Sequence, residues 1–305
     1  MASELMQTNL ILEKLRGHEI PRRVEIANGN GGLPLVKINT PWSTAEIYLH
    51  GAHVTGFQKN DEPPLLFMSD KSLFAPDKAI RGGVPVCFPW FGPREGLPAH
   101  GFARVSAWEL VATAVLPDGA VRLGFQLPEK AGGANAFHGD VEFVVTVGES
   151  LTLELRVTNT SPEPLSFEEC LHTYFLVGDL NAVAITGLKG VAYLDKTDRN
   201  ARKLESGDSI KIISETDRVY LATTGAVEID DASLRRTIRV EKSGSASPVV
   251  WNPWVAKSRA MPDFGDEEFR RMVCVESGNV GQNNLTLAPG KASVLKVVLS
   301  SAFLK

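Results

Sequence analysis

Along residues 151–160, LTLELRVTNT, apolar and polar side chains alternate, with Leu151, Leu153, Leu155 and Val157 on one side and Glu154 and Arg156 on the other. A period of two marks a strand with one buried face. VRLGFQL at 121–127 and VEFVVTV at 141–147 carry the same signal, and Gly148, Glu149 and Ser150 suit a hairpin loop between 141–147 and 151–160. AEIYLHGAHVTGF, 45–57, reads as strand, glycine break, strand. Further strands are expected over 183–188, 209–213, 218–223, 235–242, 248–252, 272–277 and 292–300. The last follows LAPG, where Pro289 fixes φ and Gly290 tolerates a positive one.

Helical periodicity is scarce. Residues 263–271, DFGDEEFRR, suggest a short helix weakened by Gly265, and residues 10–15 suggest another turn or two. Nothing alternates strand with helix, so the pattern predicts an all-β chain built as a large antiparallel sandwich or barrel. The glycine-rich stretch 129–140 is too short for a domain linker and reads as a surface loop, leaving one domain over 1–305.

At 305 residues the chain needs no metal or disulfide staple to bury a core. Its 32 Lys+Arg against 36 Asp+Glu give a net charge of -4, which offers no broad basic surface for nucleic acid. A few arginines converging on one small anion would leave that total unchanged. Cys87, Cys170 and Cys274 are scattered and cannot all pair, so they read as buried, reduced thiols. The first residues carry Glu4 and Glu13 rather than a basic segment and an apolar run, and no stretch reaches 18 apolar residues. A soluble cytoplasmic protein is expected, in which the sequons at Asn159 and Asn284 meet no glycosylating compartment.

Neither G-x-G-x-x-G after a strand nor G-x-x-x-x-G-K-[ST] occurs, and there is no H-E-x-x-H. His50 and His53 stand three apart in a strand-like run and would face opposite ways, so no metal is expected. Three stretches carry chemistry. In IRGGVPVCFPWFGP followed by PAHGFAR, prolines and glycines frame a stiff loop bearing Arg81, Trp90, Phe91, His100 and Arg104. Each arginine there must meet a carboxylate of the protein or an anion from outside. In FEECLHTYF, His172 is either a hydrogen-bonded core histidine or a general acid. In CVESGN, Glu276 sits where a strand gives way to a turn, as a solvated edge charge or a tuned general base.

IRGGVPVCFPWFGP, HGFAR, LHTYF and CVESGN, in that order and with KGVAYLDK at 189–196, resemble the hexose-6-phosphate branch of the aldose 1-epimerase, or galactose mutarotase-like, superfamily. The resemblance spans residues 20–300 and implies a single-domain β-supersandwich with a sugar cleft. It implies His172 as the acid near the ring oxygen and Glu276 as the base for the anomeric hydroxyl. By the same resemblance His100 assists binding and ring polarisation, Asp195 orients sugar hydroxyls, and Arg81 and Arg104 contact the substrate. Trp90 and Phe91 either line the cleft or belong to the core, whereas Trp251 and Trp254 brace the sandwich near the site. Lys196 could assist an anion, but strand alternation turns it away from the face of Asp195. The implied reaction interconverts the anomers of glucose 6-phosphate and related hexose 6-phosphates without cofactor or metal. The alternatives are an aldose 1-epimerase acting on free glucose or galactose and a carbohydrate-binding protein without catalysis. The sequence does not fix the oligomer; a monomer is the expectation and a homodimer stays open.

Overall fold

The computed structural model describes residues 12–304. Its strand content is 45% and its helix content 12%, in a sandwich of β-sheets. One eight-stranded sheet runs, in spatial order, Val183–Thr186, Val227–Asp231, Arg236–Ser243, Ala292–Phe303, Leu151–Thr158, Asp140–Val147, Val121–Gln126 and Glu109–Val115. Leu151, Leu153, Leu155 and Val157 are fully buried, as their alternation requires. Val147 pairs with Leu151 across the three-residue loop Gly148 to Ser150. Fully burying each such side chain stabilises the fold by roughly 1.5–3 kcal/mol.

The second eight-stranded sheet carries the chemistry. Its path is Ala201–Leu204, Ala192–Asp195, Thr216–Tyr220, Val249–Asn252, Met272–Asn279, Glu169–Leu171 and Val86–Cys87, and Tyr174–Leu176 also pairs with Met272–Asn279. A four-stranded meander, Val24–Asn28 to His53–Lys59, flanks them, and a short pair joins Leu165–Phe167 to Leu285–Leu287. Apolar residues of both large sheets and of the meander meet in one continuous core.

Two expected elements differ. Residues 209–213 form no strand: only Ile210 bridges, to Ile185 on the sheet edge, while Ile210 and Ile212 are buried and Ile213 is 81% exposed. A loop lying along an edge satisfies the same alternation as a strand. Over 263–271 only the 3-10 turn Glu268–Arg271 forms, and the α-helix lies earlier, at Trp254–Ala260. Buried Asn252 starts that helix, accepting from the Trp254 N–H while its amide donates to the Phe269 and Met272 carbonyls. Residues 12–15 are helical; positions 10 and 11 of the expected N-terminal turn lie outside the described residues. In the loop 129–140, Phe137 packs edge-on against Phe88 and Phe167. Among the described residues no helix is long and apolar enough to cross a membrane.

Candidate functional site

The two motifs FEECLHTYF and CVESGN lie side by side. Cys170 pairs with Gly278 and Tyr174 with Cys274, both antiparallel. That constant register sets His172 opposite Glu276, and the shared period of two sends Cys170, His172, Tyr174, Cys274 and Glu276 to one face. His172 Nε2 lies 3.3 Å from Glu276 Oε1, with both side chains buried. Tyr174 stacks on the His172 ring at 4.7 Å and 10°, and Trp251 meets both rings edge-on. Rings on two sides fix the imidazole plane.

Burial pushes the Glu276 carboxyl well above the usual carboxylate range, with Asp217 adding repulsion. It also drives the His172 imidazole well below its ordinary value, reinforced by His100, Arg104 and Arg81. Both shifts favour uncharged groups. Burial thus works against a separated carboxylate and imidazolium and favours the pair with no net charge. The proton count is the same in either form.

The loop of residues 80–104 supplies the wall beside this pair. Gly101 has φ +78, and a Cβ there would lie 2.0 Å from the Phe88 carbonyl oxygen, so only glycine lets the two segments close up. His100, just before it, receives the Gly92 N–H on Nδ1, packs edge-on against Phe91 at 4.7 Å and lies 5.6 Å from the His172 ring. Burial, then Arg104, Arg81 and Lys196, holds it neutral with its pKa pushed down to about 3, so its proton sits on Nε2. Phe91 is half-buried at the wall, whereas Trp90 is a core residue whose Nε1 donates to the Pro98 carbonyl.

The two arginines answer the question of their partners differently. Arg81 donates from Nε and Nη2 to Asp263 at 3.2 and 3.0 Å and from Nη1 to the Tyr174 hydroxyl at 3.0 Å. Of its five N–H groups three are so used, leaving two. Among the described residues Arg104 donates only to the Ala99 carbonyl and forms no ion pair, and its Nε is buried without a partner. Lys196 is exposed, has no ion pair among the described residues and holds its Nζ 5.4 Å from the Phe91 ring centroid.

Asp195 is placed elsewhere. It pairs with Arg218, so both point to the sheet face away from His172, where Asp195 caps a turn through Thr197 and binds Lys203 Nζ at 2.8 Å. From that face it cannot orient a sugar beside the pair. Asp217, which sequence reasoning missed, is the carboxylate on the correct face. It pairs with Trp251, which pairs with Cys274, in a row across the sheet that continues to Tyr174. Burial raises its proton affinity, and the nearby charge of Lys196 opposes that shift. The signal was available: in TDRVY, alternation puts Asp217 opposite in sense to Arg218.

His172, Cys274 and Glu276 bring nitrogen, sulfur and oxygen within 4.8 Å of one another. A cation could span that distance, yet burial keeps the Cys274 thiol protonated and the His172–Glu276 contact already joins two of the three, so we read them as an acid–base site. His50 and His53 are separately held by the Lys78 and Gly82 carbonyls and share no site. A distinct open cavity of about 1010 Å³ lies against the four-stranded sheet, lined by residues such as Arg22, Lys37 and Phe57, and includes none of the groups above.

The family model described as aldose 1-epimerase matches residues 34–300. Among curated relatives, proteins named "Putative glucose-6-phosphate 1-epimerase" from Cenchrus ciliaris and Escherichia coli K12 are similar. The first is 39% identical over 267 residues, covering 84% of this chain and 81% of the relative. The second is 36% identical over 250 residues, covering 80% and 83%. A crystal structure of a "putative mutarotase" from Salmonella typhimurium superposes with a TM-score of 0.86 at 30% identity, covering 96% of this chain and 99% of that one. With a model matched over most of its length and relatives above 30% identity along most of theirs, the chain belongs to the aldose 1-epimerase family.

Proposed function

We propose that this protein interconverts the α and β anomers of hexose 6-phosphates, with glucose 6-phosphate the leading substrate. The observation that carries the reading is the buried His172–Glu276 pair, 3.3 Å apart and on one sheet face. Opening a pyranose ring moves two protons on two oxygens bonded to the same carbon. Glu276 removes the proton from O1 while His172 protonates O5; the C1–O5 bond breaks and O1 becomes the aldehyde oxygen. Rotation about C1–C2 presents the other carbonyl face, and the reverse transfers close the ring. Each positioned transfer contributes roughly 10²–10⁴-fold. No atom is gained or lost, so the residues suffice as written. Neutral His100 donates from Nε2 to a sugar oxygen, and Asp217 accepts from hydroxyls.

The phosphate half of the reading rests on charge. Arg104 and Lys196 have no carboxylate partner among the described residues, and Arg81 keeps two N–H groups for an outside acceptor. Guanidinium forks suit phosphate oxygens, and contacts remote from C1 improve binding and orientation more than the chemical barrier. One observation favours a free aldose instead: Asp263 already neutralises Arg81. Magnetisation-exchange NMR between the anomeric signals of glucose 6-phosphate, with glucose and galactose alongside, separates the two. Faster enzymatic exchange of the phosphate ester is expected; preferential acceleration of a free sugar would overturn the phosphate assignment.

A further inference from the structure

Glu276 has two carboxylate oxygens with different neighbours. Oε1 faces His172 Nε2, and Oε2 lies 3.4 Å from the Cys170 sulfur in a geometry where the thiol donates. Cys170 is fully buried and sits on the neighbouring strand, directly opposite Gly278. Glu276 is therefore its diagonal neighbour, a span longer than a direct cross-strand pair. What makes the reach possible is the glycine. A Cβ on Gly278 would stand 2.5 Å from the Glu169 carbonyl oxygen, 2.8 Å from the Cys170 Cβ and 2.9 Å from its sulfur, so a side chain there would push both the neighbouring strand and the thiol away from Glu276. Glycine, unfavourable in a strand interior, here permits the close approach of the Glu169–Leu171 strand and with it the space the sulfur occupies.

We propose that Cys170 is a positioning residue for the general base: its S–H holds Oε2 so that Oε1 is the oxygen aimed at His172 and the anomeric centre. This rests on the acid–base reading of Glu276. A thiol is a weak donor, and the weakness matters. It fixes the carboxylate's rotation while leaving the group basic, whereas a hydroxyl at the same distance would hold the carboxylate more strongly and make it a poorer base. The groups facing Glu276 are His172, Cys170 and Tyr174 from the adjoining strand region, Cys87 beyond them, Cys274 on its own strand, Asp217 and Lys196 on the same face from the opposite flank, and Arg104 from the loop. Of these the thiol donates a hydrogen bond to the carboxylate, which favours its charged form.

The test compares Cys170→Ala and Cys170→Ser with the full-length protein, by two readouts. The first is the pH dependence of kcat for glucose 6-phosphate anomer exchange. The second is the ¹³C-carboxyl titration of Glu276 by NMR, assigned by its loss in Glu276→Gln, which needs no activity. In Cys170→Ala the Glu276 midpoint and the acidic limb of kcat are expected to rise together by roughly 0.5–1 unit, with KM unchanged. In Cys170→Ser, where a stronger donor faces Oε2, both fall below the wild-type value. Shifts of opposite sign in the two variants cannot come from lost packing, and thermal unfolding of each shows whether it is folded. An unmoved midpoint in folded Cys170→Ala overturns the proposal, as do equal losses in both variants without any shift. If wild-type protein exchanges no sugar the functional reading fails by itself, and the carboxyl titration still decides whether Cys170 holds Glu276.

Discussion

Replacing Arg81 with alanine removes a cation and also releases a carboxylate. Arg81 holds Asp263 through two hydrogen bonds, and the Asp263 side chain is only 15% exposed, so solvent does little to screen it once the guanidinium is gone. A bound phosphate then loses a charge-assisted hydrogen bond, about 1.5–3 kcal/mol. It also meets an uncompensated negative charge, on the order of 2 kcal/mol for unit charges about 8 Å apart at an effective dielectric of about 20. Together these come to about 4 kcal/mol, roughly 10³-fold in the KM for glucose 6-phosphate. Free glucose carries no anion and its KM should change by less than about threefold. The double variant Arg81→Ala/Asp263→Asn keeps the first loss and removes the second, recovering about 30-fold. Steady-state anomer exchange measured by NMR at several concentrations of each sugar gives all six values. Equal losses for both sugars, or a double variant no better than the single one, would refute the argument from charge.

Other outcomes follow from single sites. Lys196→Ala removes a cation beside Phe91 that has no carboxylate partner among the described residues, and should raise the KM for the phosphorylated sugar about tenfold while sparing kcat, as read in the same NMR series. Gly101→Ala forces a Cβ against the Phe88 carbonyl at positive φ and should lower unfolding free energy in urea by at least about 2 kcal/mol. Glu169 is fully buried with one oxygen bound by Asn279, and burial pushes its carboxyl up to about 7. Its folded-state pKa is raised, so the stability tied to its protonated form is complete below about pH 4.5 and lost as pH rises through about 7. Up to about 3 kcal/mol is at stake. Glu169→Gln, compared with wild type by chemical denaturation at pH 5 and pH 8, should be clearly more stable than wild type at pH 8 and much less so at pH 5.

The strands were legible wherever one face is buried and the other wet, because that difference is written as alternation: Leu151–Thr158 and its neighbours needed nothing more. The same rule read residues 209–213 as a strand, since burial of Ile210 and Ile212 does not depend on ladder hydrogen bonds. Arg81 called for either a carboxylate of the protein or an anion from outside, but Asp263 lies 182 positions away, and only the fold selects it. Residues 189–196 drew attention to Asp195, but strand parity decides which side chain faces the site. Alternation set Lys196 and Asp195 on opposite faces, and it is Lys196 that reaches Phe91, while the carboxylate on that face comes from Asp217 one strand over. The opposition of His172 and Glu276 depends on how two distant motifs register, which no local pattern specifies.

The central claim is that His172 and Glu276 together open the sugar ring, and the most direct measurement is the α-to-β exchange rate of glucose 6-phosphate at saturating substrate in wild type, His172→Asn and Glu276→Gln. With substrate binding confirmed by titration calorimetry, each variant should lose at least about 10²-fold in kcat while its Kd moves by less than about threefold. Exchange at the wild-type rate in either folded, substrate-binding variant would contradict the assignment of that residue and with it the two-residue mechanism.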